Sequence, residues 1–118
     1  MTAALHVRMS IRWLVPAGKA RLMTEALHRL MATTDAEPGC ISCSVSADVA
    51  AKGLIKYTEE WATEEALQRQ FQTERFRNLV ALLESGTEPP VVEFLLPGGS
   101  RGLDYVEDVR GGNSRGHS

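Results

Sequence analysis

The sequence lacks any apolar run close to the roughly 20 residues that a membrane-spanning helix needs. Its first residues also lack the charged and then apolar pattern of a leader peptide. A net charge of -2 provides no excess of one sign that would attract nucleic acid or an anionic membrane. We therefore expect a cytoplasmic protein with neither as a partner. At 118 residues the chain is long enough for one domain with a single modest core.

Cysteine and histidine, which often bind transition metals, are few: two and three residues. Cys40 and Cys43 form a C-x-x-C motif within a segment that resembles a strand, where positions three apart point to opposite faces. We interpret them as unpaired thiols in a reducing compartment, rather than as redox or metal-binding residues. His28 is expected to be half exposed on a helix, with His6 on a strand and His117 in the tail. No residue set predicts a flavin, nicotinamide or metal site, so we expect no cofactor.

Alternating apolar and polar residues predict four strands, at residues 5–15, 40–47, 54–61 and 91–96. An apolar stripe of helical period predicts a helix over residues 19–33. A second helical region follows the third strand and has two segments. Thr63 and Thr73 are expected to be the N-caps of these segments.

The order β-α-β-β-α-β predicts an α+β fold of the ferredoxin-like type. In this fold a four-stranded antiparallel sheet carries both helices on one face. The other face is expected to be polar and mixed in sign, with Arg8, Arg12, Lys56, Glu60 and Glu93 among its residues. We expect residues 1–98 to form the domain, and residues 99–118 to form a glycine-rich tail that is partly flexible, with its mobile end starting at about residue 111.

Three short motifs carry a resemblance to a known family. They are E-P-G-C at residues 37–40, Y-T-E-E-W at residues 57–61, and E-E-A-L at residues 64–67 followed by Phe76. On these residues the sequence, over about residues 5–96, resembles the antibiotic biosynthesis monooxygenase family of the dimeric α+β barrels. The resemblance implies a homodimer whose two sheets face each other, with a pocket between sheet and helices in each subunit. Family members include cofactor-independent oxygenases of quinols and polycyclic aromatics, and haem-degrading enzymes.

The sequence departs from the family at two histidine positions, which here hold Gln70 and Arg75. Glutamine can bind a quinol or carbonyl oxygen but cannot act as a base near neutral pH. Arg75 could stabilise a developing enolate-type oxygen. The alternative is a surface glutamine and a solvated arginine. The region where haem-degrading relatives place an axial histidine holds Asn78, Leu79 and Val80, so the resemblance does not extend to haem ligation.

Glu59 is the most informative candidate residue. Strand alternation directs it to the apolar side, where a carboxylate must be paired or have a raised pKa suited to proton abstraction. We therefore predict that Glu59 lines the pocket as a base or hydrogen-bond acceptor. The alternative is a strand-end carboxylate that accepts from a backbone N–H or from Arg75, or that reaches solvent.

Aromatic residues make up 6% of the chain, and several fall near Glu59. Tyr57 and Trp61 could stack on a planar aromatic substrate, and Phe71 and Phe76 could form apolar walls of the same pocket. Trp13 on the first strand has a similar potential role. For Tyr57, Trp61 and Trp13 the alternative is ordinary core packing, while Phe71 and Phe76 belong to the inner apolar stripe predicted for the second helical region.

These observations lead to two functional hypotheses. The first is a homodimeric, cofactor-independent monooxygenase that oxidises a small phenolic, quinol or polycyclic aromatic molecule with dioxygen. The second is a homodimer of the same fold that binds a small ligand or has an accessory role without turnover, which the missing histidines favour. An empty apolar pocket with convergent polar groups would favour the enzyme.

Overall fold

The computed structural model describes residues 7–47, 53–86 and 88–115. His6, His117 and most of the predicted turn before the third strand lie outside these residues. The elements in chain order are β1 (Val7–Leu14), a short 3-10 turn (Ala17–Lys19), α1 (Ala20–Thr34), β2 (Cys40–Ala47), β3 (Leu54–Trp61), α2 (Glu64–Gln70), α3 (Glu74–Glu84), β4 (Val91–Leu96), β5 (Gly99–Arg101) and α4 (Asp104–Arg115). The predicted β-α-β-β-α-β order is confirmed, with α2 and α3 forming the second helical region.

The sheet is antiparallel and has the strand order β2-β3-β1-β4-β5. The prediction of four strands is therefore wrong. Gly99, with a φ of 133°, begins β5, which pairs with β4 so that Leu96 lies opposite Gly99 and Phe94 opposite Arg101. A three-residue strand is too short to show an alternating pattern, which is why the sequence did not indicate it. Residues Asp104–Arg115 of the tail form α4, while the division of the chain at residue 99 and the mobility of its end stay predictions.

The core lies between the sheet and the helices. On β1 the predicted inner residues are buried, and β3 places Ile55, Tyr57, Glu59 and Trp61 beside them. Thr63 and Thr73 begin α2 and α3, since their side chains accept hydrogen bonds from the backbone N–H of Ala66 and Phe76. Both predicted caps are thus confirmed, and they determine where the polar side chains of the α2–α3 region lie relative to the sheet.

A bulge in β2 changes the direction of one thiol. The register shifts between Cys40 and Ser42, so that Cys40 lies opposite Trp61 and Cys43 opposite Glu59. Because Trp61 and Glu59 both face the helices, the two cysteines share that face and pack against the core. The expectation that their sulfurs point to opposite faces is wrong, because the extra residue Ile41, which is 44% exposed, breaks the alternation. Both thiols are free.

The opposite face of the sheet is covered by none of the helices that the described residues form. Arg8 and Glu60 form an ion pair of 2.8 Å there within one chain. Apolar side chains are also exposed on this face, notably Leu14, Val91 and Leu95. Among the described residues, none of the helices has the length and apolar character needed to cross a membrane.

Candidate functional site

A buried carboxylate forms the centre of the polar network under the helices. Glu59 on β3 has no exposed surface. Its carboxylate accepts hydrogen bonds from the Tyr57 hydroxyl, from Trp61 Nε1 at 3.1 Å and from Arg75 Nη1 at 3.0 Å. These three donors, of which Arg75 is a cation, compensate for the desolvation of the Glu59 charge. The pairing with Arg75 was the structural alternative that strand alternation left open.

Arg75 reaches this carboxylate from the first turn of α3, directly after the cap at Thr73. Its Nε and Nη2 both donate to Gln70 Oε1, at 3.2 and 2.8 Å, while Nη1 also donates to Thr34 Oγ1 at 2.9 Å. A guanidinium has five N–H groups. Four are engaged within the described part of the chain, which leaves one N–H of Nη2 available for another acceptor.

Gln70 connects this network to the turn before β2. Its Nε2 donates to Glu37 Oε1 at 3.3 Å, and Glu37 is the first residue of the E-P-G-C motif. Neither Glu37 nor Thr34 was a predicted site residue, and Thr34 is fully buried at the end of α1. The presence of Glu37 in the motif was the one signal that could have identified it.

Tyr57 extends the network toward β2, because its hydroxyl accepts a hydrogen bond of 3.3 Å from Cys43 Sγ. Burial raises the pKa of the Cys43 thiol to about 12. Burial and the neighbouring Glu59 also raise the pKa of the Tyr57 hydroxyl well above its ordinary value of 10.0. For Cys40, burial followed by Glu59 raises the thiol pKa. All three groups therefore stay protonated near neutral pH and act as donors, not as nucleophiles.

An open cavity of about 410 Å³ lies between α1 and α3 and reaches Arg75. Its walls include Ala26, Leu30 and Leu82, so most of its surface is apolar. The polar groups around it are those of Arg29, Thr33, Glu74, Arg75 and Asn78. A second depression, of about 470 Å³, lies on the helix-free face of the sheet. We select the first as the candidate site because it contacts the buried network through Arg75.

The structure brings together five of the predicted site residues: Glu59, Gln70, Arg75, Tyr57 and Trp61. The Arg75 guanidinium lies 5.9 Å from the centre of the Trp61 ring. Of the five, only Arg75 lines the cavity between α1 and α3.

The remaining predicted aromatics lie in the core, apart from this network. Phe71 and Phe76 pack with their ring centres 4.9 Å apart and join Phe94 and Tyr105 in a separate aromatic cluster. Trp13 is 1% exposed and packs against Gly86. These positions correspond to the core-packing alternative. Alternation places a side chain on a face of the sheet, but it does not distinguish a cavity wall from the core.

No group of three or more His, Cys, Asp or Glu side chains among the described residues could hold a metal ion. His28 is exposed on α1. The buried network is centred on the Glu59 carboxylate and the Arg75 guanidinium, and Arg29, Glu74 and Asn78 add polar groups at the cavity.

A family model described as antibiotic biosynthesis monooxygenase matches residues 6–82. The match extends from the beginning of β1 into α3 and includes every residue of the Glu59–Arg75 network. The curated proteins that were searched include none that matches the chain.

Several solved structures have the same fold. A Caulobacter crescentus protein named for the same family is 25% identical, with a TM-score of 0.68 over 76% of this chain and 87% of that one. A protein from Mycobacterium tuberculosis is 26% identical, with a TM-score of 0.67 over 78% of this chain and 94% of that one. A conserved protein of unknown function from Bacteroides thetaiotaomicron is 21% identical, with a TM-score of 0.71 over 80% of this chain and 99% of its own.

Proposed function

The chain belongs to the antibiotic biosynthesis monooxygenase family, and from this premise we propose that it is a cofactor-independent monooxygenase. The substrate would be a small phenolic, quinol or polycyclic aromatic molecule, and the oxidant dioxygen. One observation carries the proposal: the cavity between α1 and α3 reaches a buried arginine that has one N–H without an acceptor among the described residues. We further propose that the protein acts in the cytoplasm as a homodimer.

The cavity suits a flat, mostly apolar molecule with an oxygen at one end. Its volume of about 410 Å³ lies within the usual range for small-molecule sites. Leu30 and Leu82 would contact the rings, and the free N–H of Arg75 would donate to the hydroxyl or carbonyl oxygen. Because a single donor is available, the site would favour one oxygen at this position over a bidentate anion such as a carboxylate.

The reaction would start with loss of a proton from the bound substrate. The Arg75 guanidinium would stabilise the resulting oxyanion, which makes the substrate electron-rich enough to transfer electrons to dioxygen. One oxygen atom then enters the substrate and the other leaves as water, with all four electrons coming from the substrate. A quinol would thus become a hydroxyquinone plus water. Glu74 is the one carboxylate among the described residues that line the cavity, and it would receive the proton.

Glu59 would act through Arg75 and not on the substrate. Both oxygens of its carboxylate accept from protein donors, and no part of it is exposed. Gln70 and Thr34 complete the arrangement by accepting from three further N–H groups of Arg75. We therefore propose Arg75 as the catalytic residue, and Glu59 and Gln70 as residues that position it.

The second candidate function is ligand binding without turnover. It is favoured by the complete pairing of Glu59, which leaves no buried base at the site, and by Gln70 and Arg75 at the family's histidine positions. In this case Arg75 would hold the ligand oxygen, and the bound molecule would not react with dioxygen.

Oxygen consumption with hydroquinone, a naphthohydroquinone and a hydroxylated polycyclic ketone tests the proposal. Arg75→Lys keeps the charge but loses the planar fork, and we expect it to lower the turnover rate on the order of a hundredfold. Exposed Arg77 at the same end of α3 provides the control, because Arg77→Lys should leave the rate unchanged. Binding of a naphthol without oxygen consumption on any substrate would favour the second function. If the protein shows neither ligand binding nor oxygen consumption, both proposed functions are contradicted.

A further inference from the structure

The C-terminal helix α4 lies against the region that presents Gln70 and Arg75. Tyr105 and Val106 on α4 are 4% and 5% exposed, so this helix is packed onto the core. The family match ends at residue 82. The contacts of α4 therefore belong to a part of the chain beyond the matched segment.

Tyr105 attaches α4 to helix α2. Its hydroxyl donates to Glu64 Oε2 at 2.6 Å and accepts from Gln68 Nε2 at 2.9 Å. Its ring meets the Phe71 ring edge to face, with centres 5.7 Å apart. The polar contacts are thus with α2, and the aromatic contact is with the residue that directly follows it.

Arg110 attaches α4 to the junction between α2 and α3. Its Nε donates to the backbone carbonyl of Phe71 at 3.0 Å, and its guanidinium lies 5.7 Å from the centre of the Phe76 ring. Phe71 directly follows Gln70 in the chain, and Phe76 directly follows Arg75. One side chain of α4 therefore contacts the immediate neighbours of both residues that organise the buried network.

From these contacts we infer that α4 positions the Arg75 guanidinium, with Arg110 and Tyr105 as positioning residues. Arg110 closes the end of α2 and packs over the start of α3, which limits the angle between the two helices. Gln70 Oε1 accepts hydrogen bonds from two N–H groups of Arg75. A change in the angle between α2 and α3 separates Gln70 from Arg75. Without these bonds, the Arg75 guanidinium is no longer held against Glu59. The effect on a bound substrate rests on the proposed function, but the positioning of Arg75 does not.

Hydrogen exchange of the Arg75 Nε–H, followed by NMR in the ligand-free protein, tests the inference. We expect Arg110→Met to raise the exchange rate on the order of tenfold, the size of effect that one lost hydrogen bond produces. Tyr105→Phe, which loses only the hydroxyl, should raise it in the same direction. Arg77 donates to the next carbonyl, that of Gln72, at 3.3 Å. Arg77→Met is therefore the matched control and should change the rate by less than about twofold.

The backbone amides of Leu67 and Leu79, which lie in the core, report global unfolding in the same spectra. Exchange at Arg75 that rises while these amides are unchanged supports positioning by α4. An equal rise at all three sites, or an unchanged rate at Arg75 in both α4 variants, overturns it. If Arg110→Met does not fold, Arg110→Lys replaces it with the same expectations. The exchange measurement does not involve oxygen consumption. The positioning inference can therefore fail while the proposed function stands, and the proposed function can fail while the positioning inference stands.

Discussion

At the scale of single residues, the Glu59–Arg75 pair shows how a buried charge is accommodated. An isolated carboxylate in the core would be strongly destabilising, and even a paired one gains little net stability because both ions lose their hydration. Removing only one partner typically costs about 3–5 kcal/mol. A pair with so little net benefit to folding is more readily explained by the orientation it imposes on Arg75.

The titration of the buried hydroxyl and thiol groups predicts a loss of stability at alkaline pH. Folding raises the pKa of Cys43 from 9.0 to about 12, that of Tyr105 from 10.0 to about 12, and that of Tyr57 further. At a pH between the pKa of a group in the unfolded chain and its pKa in the folded protein, the folded protein keeps a proton that the unfolded chain has released. The stabilising contribution is therefore complete below about pH 9 and is lost as the pH rises toward 12.

We expect the free energy of unfolding, measured by urea denaturation, to fall as the pH is raised from about 9 to 11, with a slope of up to about 1.4 kcal/mol per pH unit for each fully buried group. Cys43→Ala removes one of the two thiols that titrate first in the unfolded chain, so its curve should be flatter near pH 9. Parallel curves for wild type and variant would contradict the assigned role of Cys43.

At the scale of elements, the turn between α1 and β2 explains the E-P-G-C motif. Gly39 has a φ of 88°, and a Cβ at this position would lie 2.6 Å from the Ala66 methyl group. Its carbonyl accepts from the Ala62 N–H at 2.8 Å, which ties the turn to the end of β3. The turn thereby places Glu37 beside Gln70, and Cys40 on the inner face of the sheet.

Gly39→Ala should therefore destabilise the protein by about 1–3 kcal/mol, the usual range for strained positive φ at a residue with a side chain. Gly98 provides a matched control, because a Cβ there meets no atom within 4 Å and its φ is not positive. Gly98→Ala should stay within about 0.5 kcal/mol of wild type. Urea denaturation of both variants measures the difference, and equal stabilities would refute the explanation of the motif.

At the scale of the whole molecule, the helix-free face carries an unbalanced arrangement of charge. Arg12 lies directly opposite Lys56 on the neighbouring strand, which is unfavourable for like charges. Arg8 is already paired with Glu60 in the same chain. No ion pair involves Arg12, Lys56 or Glu93 within the described residues. In a symmetric sheet-to-sheet dimer, Glu93 of one copy could neutralise Arg12 and Lys56 of the other.

We therefore expect Glu93→Lys to weaken the homodimer at least about tenfold in Kd, since it places a further cation on the face that already carries Arg12 and Lys56. Glu107→Lys, an exposed change on α4, makes the same alteration in charge and should leave association unchanged. Sedimentation equilibrium at several protein concentrations measures both. A wild-type protein that is monomeric at micromolar concentration would contradict the predicted dimer.

Sequence and tertiary structure each determined a different part of this description. Alternation on β1 and β3, the helical stripe of α1 and the caps at Thr63 and Thr73 were all readable from the sequence, because they depend on residues within a few positions of each other. The same local rules identified Glu59 as an inward-facing carboxylate. The motifs at residues 37–40 and 57–61 indicated the family, and this was confirmed.

Only the tertiary structure decided which groups meet. Arg75 pairs with Glu59 across 16 positions and with Thr34 across 41, and no periodicity relates such positions. The bulge at Cys40 and the docking of α4 likewise depend on pairing with distant residues, whereas the fifth strand pairs locally with β4 and is too short to show an alternating pattern. By itself the sequence determined the β-α-β-β-α-β order and the faces on which the side chains of β1 and β3 lie. Contacts among distant residues determined that Arg75, and not Glu59, reaches the cavity.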